Sequence, residues 1–234
     1  MKGYFKAIVL YGPPGAGKGT LANLLAQNYD LIHFDTGKYL ENLLFYTDWS
    51  KFSKREQLEF KKEKELFEKG ILLSPPFVLK VVKRRAERIA KAGWGVIFSG
   101  SPRTLFEAFG DKRTLGLIPV LERLYQKKNV LVFQLKVKPQ TSINRNLNRL
   151  ICPVCGQVPL GFYNKILDKC PICGKKMVKR SVDRSTEVIK VRLKEYQNRT
   201  KPILRELKKK GYSINKINGE PLPYLVYQQV LKFL

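Results

Sequence analysis

Apolar residues in this chain come as short unbroken runs separated by longer stretches of helical spacing. Ala7-Ile8-Val9-Leu10-Tyr11 is one such run, and others lie at 95–98 and 130–135, with a weaker one at 212–217. Runs this short, without strict alternation, predict strands buried on both faces. Between them, apolar residues recur every three or four positions over 18–28, 76–92, 117–127, 139–149 and 186–210, which predicts helices. In the helix after Pro139, Ile143 and Leu147 are expected on the buried face, with Arg145 and Arg149 on another. Strands alternating with helices imply an α/β fold whose parallel sheet is covered on both sides. Two regions break the rhythm. Residues 37–74 are helical in pattern, charged and weakly apolar, and residues 148–183 are rich in turn residues and hold the cysteines. Both read as insertions into one core.

The 234 residues are 44% hydrophobic, enough for a substantial core. No stretch approaches the roughly 18 apolar residues of a membrane span. Met1-Lys2-Gly3 leads straight toward a strand without a signal sequence, so a cytoplasmic protein with no membrane partner is expected. The net charge of +26 would suit polyphosphate substrates or non-specific nucleic-acid binding. Lysines and arginines are scattered, however, and runs such as Lys83-Arg84-Arg85 and Lys208-Lys209-Lys210 resemble solvated helix faces. Basic surface composition without a nucleic-acid partner is the expectation.

The first strand runs into Gly12-Pro13-Pro14-Gly15-Ala16-Gly17-Lys18-Gly19-Thr20, and an amphipathic segment follows. Strand, glycine loop and helix make the context of a phosphate-binding loop. The glycines let successive backbone N–H groups point at one spot, the helix adds the positive end of its dipole, and Lys18 can reach outer phosphates. The hydroxyl that normally follows the lysine directly is displaced by Gly19 to Thr20.

Cys152-Pro153-Val154-Cys155-Gly156 and Cys170-Pro171-Ile172-Cys173-Gly174 are two copies of one pattern, with fourteen residues between Cys155 and Cys170. Each is a tight turn presenting two sulfurs. Four thiolates with no open position describe a structural tetrahedral zinc site, iron in the same geometry or an empty reduced site being the alternatives. Ser101-Pro102-Arg103-Thr104 follows a predicted strand, where functional residues of parallel sheets gather, and Arg103 could clamp a phosphate. Arg145, Arg149, Arg180 and Arg192 bracket the cysteine segment at both ends, as arginines closing over a transferring phosphoryl group would. His33, the sole histidine, reads as a structural or loop residue and not a general base.

Taken together these motifs resemble the adenylate kinase family, in its long form with a zinc-bearing lid. Besides the glycine loop and S-P-R-T, Asp35-Thr36-Gly37, Lys69-Gly70-Ile71-Leu72, Asn148–Cys152, Arg180–Asp183, Arg192-Leu193 and Lys216–Gly219 match family segments. The resemblance implies a core of 1–35, 75–147 and 184–234, a monophosphate-binding domain of 36–74 and a lid of 148–183. It implies a monomer moving the γ-phosphate of Mg²⁺-ATP to a nucleoside monophosphate, first of all AMP. Gly15 to Thr20, Arg145 and Arg149 would bind ATP, with Arg145 against its base. Thr36, Gly37, Leu72, Arg103 and Glu107 would bind the acceptor. Lys18, Arg103, Arg149, Arg180 and Arg192 would act on the transferring group, and Cys152, Cys155, Cys170 and Cys173 would hold Zn²⁺.

Several positions depart from the family pattern. Lys38 replaces an aspartate, Glu41 an acceptor-binding arginine, Ser99 a magnesium-orienting aspartate, and Glu107 the glutamine that reads adenine. A glutamate only accepts hydrogen bonds, which suits guanine or cytosine. A kinase of GMP, CMP or UMP is therefore the alternative, followed by a non-catalytic nucleotide- or RNA-binding protein on the same fold.

Overall fold

The computed structural model describes residues 6–69, 71–154, 156, 158, 168–180, 183 and 185–234. Five strands form one parallel sheet: β1 Ala7–Tyr11, β2 Leu31–Phe34, β3 Gly95–Phe98, β4 Val130–Lys136 and β5 Ile214–Asn218, ordered β2-β3-β1-β4-β5. Strand β1 is central, paired with β3 through Ile8↔Ile97 and with β4 through Ile8↔Leu131. The chain leaves β1 toward one edge and later crosses to the other, so the end of β1 is a switch point where ligands bind in open α/β sheets.

Every residue of β1 and β3 is buried. Alternating side chains feed two cores. Ala7, Val9 and Tyr11 join Val96, Phe98, Val82 and Leu121 on one face; Ile8 and Leu10 join Leu25, Phe133, Leu135 and Val230 on the other. Each of the valine, leucine, isoleucine and phenylalanine side chains contributes about 1.5–3 kcal/mol by leaving water.

Helix α1 spans Lys18–Tyr29 and starts from Gly17 at φ 87°, a left-handed conformation that glycine adopts without strain. Helix α2, Thr36–Phe45, is capped by the Asp35 carboxylate, which accepts from the Lys38 N–H. Helix α3, Lys54–Glu68, opens with a reciprocal capping box between Ser53 and Glu56. Its Phe60 packs edge-on against Phe52 and against Phe77 of the following helix, which joins the charged 37–74 region to the main core. The buried Glu63 accepts the Ser74 N–H at 2.8 Å, placing a carboxylate at the start of α4, Pro75–Lys91. There follow α5 Leu105–Phe109, α6 Leu117–Tyr125, α7 Pro139–Leu147, α8 Thr186–Glu195, α9 Lys201–Lys209 and α10 Pro223–Leu231. A π-helical turn, Tyr196–Thr200, joins α8 to α9, so the helix expected over 186–210 changes its winding midway. Among the described residues no helix is long and apolar enough to cross a membrane.

Two features differ from expectation. β2, α5 and α10 are present without having been predicted. On α7 the buried residues are Ser142 and Asn146, while Ile143 and Leu147 are only half-buried.

Candidate active site

A cleft of about 1280 Å³ opens at the carboxyl end of the sheet, above the range of roughly 300–1,000 Å³ that holds one small ligand. The glycine loop lies at its base. Ser142 Oγ donates to the Pro14 carbonyl, and Asn146 packs so closely that a Cβ on Gly15 would come within 2.6 Å of its Nδ2. The inward polar face of α7 thus clamps the loop. Sequence reading passed over these two residues because an apolar stripe was taken as the buried side; two small polar residues spaced four apart on a helix were the available signal.

Lys18 Nζ donates to the carbonyls of Gly12 and Pro13 at 2.8 and 2.9 Å. Burial, followed by the positive charges of Arg103, Arg192 and Arg149, lowers its pKa to about 7. The loop residues Gly15 to Thr20, with Arg145, Arg149, Thr36, Gly37, Leu72, Arg103, Glu107, Arg180 and Arg192, all line this one cleft.

The arginines are held in fixed directions. Arg103 Nε donates to the Gly100 carbonyl at 2.6 Å, and its own carbonyl accepts from Thr200 Oγ1 on the π-helical turn. Asp183, fully buried, is shared: Arg149 Nε and Nη2 bond one oxygen at 2.8 and 2.6 Å, and Arg192 Nη1 bonds the other at 2.6 Å. Burial lowers the pKa of both arginines, and Asp183 opposes that shift. Arg145 donates through Nη1 and Nη2 to the carbonyls of Gly219 and Glu220, both at 2.8 Å, fastening the loop after β5. Gly37 lies between two guanidiniums. A Cβ there would sit 3.7 Å from Arg180 Nη2 and 3.8 Å from Arg103 Nη2.

Positions flagged as departures are all engaged. Glu41 accepts from Arg180 Nη2 at 3.0 Å, and Lys38 Nζ lies over Gly156. Lys38 lines the cleft and reaches toward the cysteine segment. Glu107 Oε2 accepts the Arg103 N–H at 2.9 Å and Oε1 accepts from Thr104 Oγ1 at 3.1 Å. Its carboxylate braces the α5 turn besides lining the cleft, and burial raises its pKa. Ser99 Oγ lies 2.7 Å from His33 Nε2, whose Nδ1 lies 2.6 Å from Asn23 Oδ1. Burial lowers the His33 pKa, so the ring is neutral at pH 7. An Nδ1–H donating to Asn23 leaves Nε2 to accept from Ser99, which turns the serine lone pairs away from the ring. Asp35 also lines the cleft; burial would raise its pKa, but Arg180 and the Lys38 N–H bring it below the ordinary value.

The cysteines lie apart from the cleft. Sγ atoms of Cys152, Cys170 and Cys173 fall within 4.8 Å of one another, and Cys152 Sγ is 3.4 Å from Cys173 Sγ. Tetrahedral Zn²⁺ with sulfur ligands at about 2.3 Å requires sulfurs roughly 3.8 Å apart, so the cluster fits that ion. Cys155 lies outside the described residues. Gly156 and Gly174, at φ 71° and 68°, each return an N–H to the first cysteine carbonyl of their own turn.

The adenylate kinase family profile matches residues 10–212. The adenylate kinase of Petrotoga mobilis is 33% identical over 91% of this chain and 89% of its own length. That of Caldanaerobacter subterraneus subsp. tengcongensis is 30% identical over 97% and 95%, and that of Caldicellulosiruptor bescii 32% over 87% of each.

Proposed function

This chain belongs to the adenylate kinase family, and from that premise we propose that it phosphorylates AMP with Mg²⁺-ATP, giving two molecules of ADP. The observation that carries this reading is the convergence of the Lys18 loop with Arg103, Arg149, Arg180 and Arg192 in one cleft. Phosphoryl transfer needs little covalent chemistry from the protein; it needs positioning and positive charge at the equatorial oxygens. Lys18 and the loop amides hold the β- and γ-phosphates of ATP. Arg145 lies along the donor base, Arg149 contacts the donor phosphates, and Arg180 and Arg192 reach the transferring group. Arg103 takes the acceptor phosphate, with Thr36, Gly37 and Leu72 along the acceptor. The Thr20 hydroxyl and the Asp35 carboxylate, both lining the cleft, would hold the Mg²⁺ that enters with ATP, and that ion would supply neutralisation of phosphate charge.

Residues 36–74 form the acceptor-binding part and 148–183 a lid, each moving against the remaining core. Closure excludes water that would otherwise hydrolyse ATP. Cys152, Cys155, Cys170 and Cys173 hold Zn²⁺ as a structural staple, and the enzyme works as a monomer without nucleic acid.

A second reading, transfer to GMP or CMP, is favoured by one observation: Glu107 puts an acceptor-only carboxylate in the cleft. Rates with ATP and each of AMP, GMP, CMP and UMP separate the two. A hundredfold preference for AMP is expected; comparable or higher kcat/KM with GMP or CMP would overturn the AMP reading. Lys18→Ala should abolish transfer to every acceptor.

A further inference from the structure

Lys38 and Glu41 lie three residues apart on α2, hence on one face of that helix. Both reach the same distant stretch of chain. Lys38 Nζ lies over Gly156, the glycine of the first cysteine knuckle: a Cβ there would come within 2.5 Å of the ammonium. Glu41 Oε2 is 3.0 Å from Nη2 of Arg180, two residues past Val178, whose backbone pairs with Ile151 to close the cysteine segment. One helix face therefore grips this segment at its first knuckle and at its base. The Glu41–Arg180 pair leaves only 17% and 16% of its side chains exposed, so salt screens it weakly. Arg180 Nε is buried without a hydrogen-bond partner. Glu41 thus holds one corner of a guanidinium that lines the cleft.

The geometry points to α2 as a docking face for the lid, with Glu41 a positioning residue that holds Arg180 across the cleft before substrate arrives. An arginine at position 41 would repel Arg180; the glutamate turns that repulsion into attraction. A guanidinium already oriented needs no reorganisation when charge develops on the phosphoryl group. The kinetic part of this inference rests on the kinase reading above; the docking part does not require turnover.

Two measurements on the full-length protein test it. Dyes placed through non-canonical residues at the exposed positions Leu58 and Ile172 report the distance between α3 and the second knuckle by resonance energy transfer. Without nucleotide, the unsubstituted protein should populate a high-transfer state that Glu41→Gln depletes. The charge exchange Glu41→Arg with Arg180→Glu should restore it without restoring transfer of phosphate. In steady-state assays Glu41→Gln should lower kcat about tenfold, with the KM for ATP unchanged. Equal high-transfer populations in the unsubstituted and Glu41→Gln proteins would overturn the docking face, and unchanged kcat would overturn the positioning role. A high-transfer state that responds to Glu41→Gln in a protein inactive on all four monophosphates would instead overturn the kinase reading and uphold docking.

Discussion

Lys18, half-buried with its ammonium on two loop carbonyls, is desolvated and feels the charges of Arg103, Arg192 and Arg149, and its pKa falls from the ordinary 10.5 to about 7. Between those two values the unfolded chain binds a proton that the folded chain does not, so the nucleotide-free fold gains stability from this group as pH rises through the window. Below about pH 7 both states hold the proton and the charge must be buried. ATP changes this balance, because its phosphates favour the ammonium. At pH 8.5, where ATP carries no titrating proton, binding should be accompanied by uptake of about one proton. Calorimetry in two buffers of different ionisation enthalpy measures it. The uptake should vanish in Lys18→Met, and its absence from the unsubstituted protein would contradict the account. Asp183 illustrates another arrangement: one buried carboxylate serves two guanidiniums, each on its own oxygen, so the trio keeps a net positive charge and both arginines stay below their ordinary pKa.

At the scale of elements, the sequence was most informative where one physical requirement dominated. Strands β1 and β3 are buried throughout and β4 is mostly apolar, so all three were legible, as was the loop after β1, whose glycines leave little alternative. Strand β2 has four residues, two of them only half-buried, so Leu31-Ile32-His33-Phe34 gave no run long enough to stand out. The face of α7 was misread because the core there is polar: Ser142 and Asn146 serve the loop, not the hydrophobic interior. The arginines could be gathered by their positions around the cysteine segment, but their acidic partners could not, since pairing across 139 residues, as between Glu41 and Arg180, leaves no local pattern. The knuckles were the clearest short-range signal, and they set an expectation for the metal. The apolar core of the described part of this segment is Cys152, Cys170 and Met177, with Leu150 packed against them, too little to hold it folded. Removing zinc with a chelator, or substituting Cys152→Ser, should lower the melting temperature, and the rate at saturating substrate should fall less than its thermal midpoint implies. An unchanged melting temperature would show that the sulfurs hold no stabilising ion.

At the scale of the whole molecule, the +26 charge acts on the fold and on the substrates with opposite consequences. Forty-five basic residues against nineteen acidic ones repel one another across a compact body, and folding brings them closer. Added salt shortens the Debye length from about 30 Å at 0.01 M to about 8 Å at 0.15 M, which relieves repulsion between surface charges. The buried pairs around Asp183 and Glu41 are shielded from that screening. The melting temperature of the nucleotide-free protein should therefore rise over this range. The same field draws polyanionic nucleotides to the cleft, so the KM for ATP should rise with salt while kcat, set inside the closed site, stays within about twofold. Differential scanning fluorimetry and steady-state kinetics across one sodium chloride series test both halves together. A melting temperature that falls with salt would mean that surface ion pairs outweigh net repulsion, and a salt-independent KM would mean that the excess charge plays no part in capturing substrate.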